Sequence, residues 1–421
     1  MKEYLQKLPK ETQGLIKRAS DIAAALDMSA YLVGGCVRDL LLGTKVLDLD
    51  IVVVGDGIRF AEEFAGCFQA KLIRHRRFGT ATVIISPAVK IDIATARKEI
   101  YPHPASLPQV SAGTLRDDLY RRDFSINAMA ISICRRDFGA LIDWFSGRAD
   151  LRKKKIRILH SLSFIDDPTR LLRAIRFEQR YAFKIEPGTL SRLKESVRLK
   201  MLEKVQPQRV CCDLILMLKE KYPIKEIKRL KGIAGFDFIS SRLRVTQKTY
   251  VLLRAIEKQL GWFRKSCPLR RQLDTWLVYF MGLTDSLSAQ ETKALCRKFA
   301  LLSGEEKRML SYKKFASPFV VRFSRRALAP ADIFALFEPL SYEAILLVKA
   351  KYKNTALQRH IEDFFEIYNG MRIAIGGKDL QGLGLLPGPH YQKIFAKVLQ
   401  AKLNGMVKTK QDELKFIAKL L

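Results

Sequence analysis

The segment Leu47-Asp48-Leu49-Asp50-Ile51-Val52-Val53-Val54 places the tightest limit on the fold. It alternates for four residues and then becomes wholly apolar, the pattern of a central strand covered on both faces rather than of an exposed edge. Side-chain direction repeats every two residues along a strand, so Asp48 and Asp50 share one face, at the mouth of a buried element. Two neighbouring carboxylates repel one another unless a cation lies between them. Mg2+ is a hard ion that takes carboxylate oxygens together with substrate phosphates. By itself the D-x-D pattern also fits two solvated acids at a strand end.

The surroundings of this strand predict an α+β head with a small mixed sheet. Residues 11–27 read as an amphipathic helix, 31–33 as a short strand ending in Gly34-Gly35, and 37–42 as the opening of a second helix. Residues 80–85 and 89–94 are further strands, divided by the turn at Ser86-Pro87. Asp92 is the lone acid of the latter strand. It is either an ordinary strand-end acid or a third carboxylate beside the pair, and three carboxylates on a small sheet can hold two metals for in-line phosphoryl transfer. Gly34-Gly35 ahead of a helix is either a simple tight turn or a place where backbone N–H groups approach phosphate oxygens. Arg38, one turn into that helix, suits bidentate phosphate contact.

Residues 97–113, with Pro102, Pro104 and Pro108, read as a long loop of the kind that is usually functional. Thr114-Leu115-Arg116-Asp117 is a capping box that starts a helix toward Arg121 and Arg122. Beyond Asp150 the strand signals fade. Residues 167–182, 190–200 and 207–220 are helical, and 221–420 is mostly helical with basic faces. The expected organisation is therefore a catalytic head over 1–150, a helical neck over 151–220 and a body with tail over 221–421. The neck and body together form an elongated all-α part.

Charge narrows the partners. Lys and Arg number 75 against 43 Asp and Glu, a formal net charge of +32. Self-repulsion on this scale is best tolerated where a polyanion neutralises it, which favours a nucleic acid over an anionic membrane surface. No stretch approaches the ~20 apolar residues of a spanning helix. The first residues mix acid and base around no apolar signal core, so no membrane partner is expected. Seven cysteines without repeated C-x-x-C spacing argue against a zinc site or a disulfide framework, and point to a reducing, cytoplasmic compartment.

Three motifs now fall into one order. Leu32-Val-Gly-Gly-Cys-Val-Arg-Asp39 followed by Asp48-Leu-Asp50 resembles the signature of class II tRNA nucleotidyltransferases and bacterial poly(A) polymerases, of the polymerase-β nucleotidyltransferase superfamily. Arg121-Arg122-Asp123-Phe124-Ser125-Ile126-Asn127-Ala128 is similar to their second motif, and Asp166-Asp167-Pro168-Thr169-Arg170-Leu-Leu-Arg173-Ala-Ile-Arg176-Phe177 to the nucleotide-selecting one. The resemblance implies that Gly35, Arg38, Arg122, Asp167, Arg170, Arg173 and Arg176 contact the incoming nucleotide while Asp48 and Asp50 bind Mg2+. The implied reaction is addition of C and/or A, from CTP and ATP, to the 3′ end of tRNA. His75-Arg-Arg-Phe-Gly-Thr-Ala81 is closer to the tRNA branch than to the more basic strand of poly(A) polymerases, whereas Gln206-Pro-Gln-Arg209 departs from the usual Glu-Arg pair. The stretch from Gly377 to Pro389 resembles the tRNA-binding tail of some members. An enzyme adding only the terminal A, a poly(A) polymerase and a non-catalytic RNA-binding protein are the alternatives. The presence of the 97–113 loop speaks against an enzyme that adds only CC.

Base choice can be argued from chemistry. Cytosine and adenine each present an amino donor beside a ring-nitrogen acceptor, whereas uracil and guanine present the reverse. A carboxylate accepts and a guanidinium donates, so Asp167 and Arg170, three apart on one helix face, would satisfy C or A and mispair U or G. Asp167 before Pro168 equally fits a helix N-cap followed by a first-turn proline. Arg173 and Arg176 continue the three-residue spacing, suited to a triphosphate or to a salt-bridged face. Whether the chain is a monomer is not legible in its sequence.

Overall fold

A computed structural model describes residues 2–44, 49–87, 89–315 and 328–420. Asp48 lies outside the described residues. The chain divides into two units, one formed by Met1–Asp213 with Glu220–Phe238, the other by Leu214–Lys219 with Ile239–Leu421.

The apolar run does form a strand in the middle of a sheet. Strands β1 (Ser29–Val33), β2 (Leu49–Val54), β3 (Lys71–His75), β4 (Thr80–Ser86), β5 (Val89–Thr95), β8 (Ala130–Ser132) and β9 (Leu141–Ile142) make one seven-stranded sheet in the order β3-β4-β5-β2-β1-β8-β9. It is mixed: β2 and β5 run parallel, and every other neighbouring pair is antiparallel. Ile51, Val52 and Val53 are buried, as expected of a strand covered on both faces. The parallel register sets Asp50 directly opposite Asp92, so the two carboxylates leave the same face of adjacent strands.

The parallel pair needs a crossover, part of which is the helix Gly57–Cys67. Asp56 caps it, its Oδ1 accepting from the N–H groups of Ile58 and Arg59 at 3.0 Å each. Phe60, Ala61 and Phe64, fully buried, lay it against β4 and β5. Its first residue touches the sheet backbone: Gly57 N–H donates to Thr95 Oγ1 at 3.0 Å, and a Cβ there would lie 2.6 Å from the Thr95 nitrogen.

The stretch expected to be a long loop is largely ordered. β6 (Arg97–Ile100) and β7 (Gln109–Ala112) pair as an antiparallel ribbon, and only residues 101–108 connect them. The three prolines all fall in that connection, where a missing N–H costs no ladder bond. The capping box forms as read: Thr114 and Asp117 exchange backbone-to-side-chain bonds at the start of the helix Leu115–Tyr120. Helices Arg170–Arg180, Pro187–Arg198 and Pro223–Ile233 follow, the first and third joined by Arg229, which donates twice to the buried Glu178. A two-residue parallel pair, β10 (Lys155–Ile156) with β11 (Lys184–Ile185), brackets the first of these helices and is too short to show in a sequence pattern.

The second unit is helical, with no strand among its described residues. Thr275–Leu283 is buried nearly all round, as is the middle of Tyr342–Lys351. Glu343, fully buried, is neutralised by a bidentate Arg271 and by Arg308. Toward the C-terminus, Ile375, Leu380, Val398 and Ile417 form a separate small core, braced by the buried Glu413, which accepts from the N–H groups of Ala374 and Ile375. No described helix is long and apolar enough to cross a membrane.

Replacing Gly57 with alanine forces the helix off the sheet backbone. Urea unfolding of Gly57→Ala is expected to show a loss of about 1–3 kcal/mol, the usual cost of overpacking. An unchanged midpoint would contradict the contact with Thr95.

Candidate active site

Seven arginines and four carboxylates line one cavity of about 470 Å3 in the first unit. The excess of positive charge suits a polyphosphate, and each arginine is held by a specific partner. Gly34 opens the site. It ends β1 in the left-handed region, φ 69°, where glycine is at ease. A Cβ there would lie 2.5 Å from Arg122 Nη1 and 3.9 Å from Asp50 Oδ2, so only glycine lets the backbone pass so near both side chains. It precedes the helix Gly35–Leu42, whose Arg38 is nearly buried. Arg38 donates to both carboxylate oxygens of Asp39 at 2.8 and 3.0 Å and to Asn127 Oδ1 at 2.5 Å, and its guanidinium lies over the rings of Phe177 and Tyr181.

Asn127 passes the connection on, its Nδ2 donating to Asp123 Oδ1 at 2.8 Å. The other oxygen of Asp123 accepts from Arg173 Nε and Nη2 at 2.8 and 2.6 Å. Burial on its own would push the Asp123 carboxyl up. The Arg173 guanidinium and the Asn127 and Arg173 hydrogen bonds outweigh burial and hold it down at about 2. Asp123 in turn raises the pKa of Arg173.

A second buried carboxylate does the same for the neighbouring pair. Asp118, with no exposed surface, takes Arg121 on one oxygen and Arg122 on the other, at 2.7 and 2.8 Å. Arg121 also reaches Glu99 of β6, which binds Arg97 and accepts from the Tyr101 hydroxyl. Arg122 Nε is buried with no hydrogen-bond partner among the described residues.

At the helical wall, Asp167 Oδ1 accepts from Arg209 Nη2 at 2.9 Å and from the hydroxyl and N–H of Thr169. Thus Asp167 does cap a turn, while its carboxylate still lines the cavity. Arg170 is 4% exposed, donating to Ser163 Oγ at 2.7 Å and to the Arg121 carbonyl at 2.6 Å. Arg176 does not line the cavity. A step of three residues turns about −60° around a helix, so after two steps the face has rotated by about 120°. Arg176 accordingly lies 4.0 Å from Glu220, with its pKa lowered by burial and by Arg173.

The structure thus gathers Gly34, Gly35, Arg38, Asp50, Arg122, Asp167, Arg170 and Arg173 around one cavity. Asp92 lines an adjoining recess with Asp50, Arg121 and Arg122. The donor chemistry of Asp50 and Asp92 fits Mg2+. Two carboxylates face one another from paired strands, and Thr82 Oγ1 orients Asp92 from 2.6 Å. No cluster of three metal-ligating side chains is found among the described residues, a set that does not include Asp48.

Residues 30–157 match the poly(A) polymerase head domain. The chain is 35% identical to the A-adding tRNA nucleotidyltransferase of Geobacter sulfurreducens, over 98% of its own length and 47% of that protein's. It is 31% identical to the A-adding tRNA nucleotidyltransferase of Halalkalibacterium halodurans, over 96% of its length and 91% of that protein's. This chain belongs to the tRNA nucleotidyltransferase family. Its fold is similar to the Thermotoga maritima CCA-adding enzyme complexed with tRNA_CCA, with a TM-score of 0.72, 30% identity and coverage of 100% and 98% of the two chains. The mixed sheet of the head and the helical unit that follows belong to that architecture. The chain spans about half the length of the Geobacter relative.

Within this nucleotidyltransferase site, sequence reasoning missed Asp118, Asp123, Asn127, Glu99 and Arg209. Asp123 and Asn127 lie inside a motif already singled out, and their i, i+4 spacing was the available signal. Arg209 lies in the stretch already noted for its departure from the usual Glu-Arg pair, but nothing local shows that the packing of that helix brings it to Asp167.

Asp123 gives the site a pH signature. Its folded pKa lies below the usual 3.8, so its stabilising effect is complete above about pH 4 and is lost as pH falls toward 2, for a total of about 2 kcal/mol. In urea titrations across that window, Asp123→Asn should lack this share of the acid destabilisation and be less stable at pH 7. Parallel curves for the two proteins would refute the pairing.

Proposed function

We propose that this protein adds C and/or A nucleotides to the 3′ end of tRNA, taking CTP and ATP and releasing pyrophosphate. The observation that carries this reading is the opposed pair Asp50 and Asp92, opening beside a cavity lined by arginines.

The triphosphate would lie against Gly34, Gly35, Arg38, Arg122 and Arg173, each already oriented by a protein partner. The RNA 3′-hydroxyl attacks the α-phosphate directly, with no covalent enzyme intermediate, so the protein contributes positioning and charge. Mg2+ held by Asp48, Asp50 and Asp92 would, when bound, lower the pKa of the attacking hydroxyl and neutralise the leaving pyrophosphate. Asp167 has Oδ1 taken by Arg209 and Thr169, which leaves Oδ2 for the exocyclic amine of C or A. Each terminal nitrogen of Arg170 gives one N–H to the protein and keeps a second for the ring nitrogen of the base. A base with the opposite polarity leaves both groups mispaired, at ~1–3 kcal/mol per contact. Arg176 is the weakest member of the expected nucleotide set, since it lies outside the cavity lining. The reading includes a catalytic head over 1–150, a nucleotide-selecting neck over 151–220 and a tRNA-holding body over 221–421, acting in the cytoplasm.

A second reading, addition of the terminal A alone, draws on the A-adding names of two relatives. Incorporation of labelled CTP or ATP, with Mg2+, into one tRNA transcript ending at the discriminator base and one ending in CC separates the two. Sequential C, C and A on the first gives a complete enzyme; a single A on the second alone gives the A-adding one. A long A tail on unrelated RNA would mean a poly(A) polymerase, and no incorporation anywhere an RNA-binding protein. Asp50→Ala and Asp48→Ala are each expected to reduce incorporation at least about a hundredfold, on the scale of removing one group that stabilises transition-state charge, with an unchanged circular dichroism spectrum. Full activity in either would overturn that residue's role.

A further inference from the structure

An aromatic cluster outside the cavity has no part in the chemistry above. The Tyr120 ring lies 5.2 Å from the His160 ring and 5.8 Å from that of Phe145, tilted by 35° and 38°. Three separate segments supply these rings: the end of the helix Leu115–Tyr120, the turn after β9, and the approach to the helix Ser163–Asp166. Phe145 is anchored against the core, whereas Tyr120 is 47% exposed; Trp144, beside Phe145 in the chain, and Leu162, two residues after His160, are exposed as well. Large apolar side chains gathered at one exposed place mark a contact surface.

The cluster shares a wall with the cavity. Arg170 is fixed by the carbonyl of Arg121, next to Tyr120, and by the hydroxyl of Ser163, three residues after His160. His160 is pushed down to about 4 by burial and by that same Arg170, so its ring is neutral at pH 7. Exposed Arg116 lies one turn before Tyr120 on the same helix, and a second exposed cation, Arg148, follows Phe145 by three residues in the chain. Flat neutral rings bordered by cations, next to a site that consumes an RNA 3′ end, match an unpaired nucleotide better than an apolar partner. Stacking on aromatic rings accepts any base, and flanking cations take its phosphates.

We propose that Tyr120 and His160 form a stacking platform for the unpaired 3′-terminal bases of the RNA, holding the primer end beside the cavity. This rests on the function proposed above, for it supposes an RNA 3′ end as the acceptor. Base stacking without sequence reading would let one platform serve a primer whose last base changes as the chain grows.

Two readouts test it. The first is fluorescence of a tRNA transcript carrying 2-aminopurine at the discriminator position, which stacking quenches. The second is the pair of KM values for tRNA and for ATP. Tyr120→Ala should lose the quenching and raise the tRNA KM about tenfold, the scale of one lost base–aromatic stack, with the ATP KM within twofold of the parent. Tyr120→Phe should restore both, and Tyr120→Leu, which keeps bulk without a π face, should not; it also serves if the alanine variant fails to fold. Wild-type activity with an unmoved tRNA KM and unmoved quenching in Tyr120→Ala and Tyr120→Leu would overturn the platform. So would a dimer that Tyr120→Ala dissociates with the tRNA KM unmoved, which would assign the patch to a second copy. If the wild type incorporates nothing, the functional reading fails, and the fluorescence still decides the platform.

Discussion

The site depends on one electrostatic constraint: seven guanidinium groups must stay together around a cavity while no polyanion is present. Mutual repulsion would scatter them. The protein answers with buried carboxylates set behind the arginines. Asp118 takes Arg121 and Arg122, Asp123 takes Arg173, and Glu99 takes Arg97 and Arg121. Desolvation opposes the charges of Asp118 and Asp123, and the facing guanidinium groups with their hydrogen bonds outweigh it and keep both ionised. Arg170 is held instead by the Ser163 hydroxyl and the Arg121 carbonyl, Arg38 by Asp39 and Arg209 by Asp167, so every arginine of the lining has a protein partner before any substrate arrives. That is the form of preorganisation electrostatic catalysis requires.

The same network links elements distant in sequence. Arg38 on the helix after β1, Asn127 and Asp123 before β8, and Arg173 on the neck helix form one hydrogen-bonded chain. The helix Arg170–Arg180 is thereby joined to the helix that follows the Gly34-Gly35 turn. The ribbon β6–β7 joins in twice, through Glu99 to Arg121 and through the Ala105 N–H to the Ile165 carbonyl near Asp167. The side chains proposed for base choice and those proposed for phosphate binding are in this way joined by polar contacts.

Much of this was legible in the sequence because it is local. Strand β2 announced itself by its apolar run, the helix at Thr114 by its capping box, and the phosphate turn by Gly34-Gly35. The arginines Arg38, Arg122, Arg170 and Arg173 and the acids Asp50 and Asp167 reach the same cavity. What stayed hidden is what only tertiary contact decides. The ribbon at 97–112 has strands of four residues around a proline-rich tip, too short for periodicity to register. Arg176 falls outside the cavity lining, because two steps of three residues carry it about 120° around the helix from Arg170, farther than a slow drift would. Arg209 gave no local sign of meeting Asp167.

Arginine rather than lysine fills every cationic position of the cavity lining, and the contacts explain why. Arg38 grips Asp39 along one edge with Nε and Nη2, donates Nη1 to Asn127, and lays its plane over two aromatic rings. Arg173 spends Nε and Nη2 on Asp123, leaving its Nη1 edge turned elsewhere. A planar fork can face a protein carboxylate with one edge and a phosphate with another, so the group that fixes it does not consume it. An ammonium is a point charge whose strongest partner takes most of its field. Lysine at Arg38 would forfeit the stacking and the bidentate grip together. The half-buried Asp39 and the buried Asn127 would then lose the donor that their geometry is built to receive.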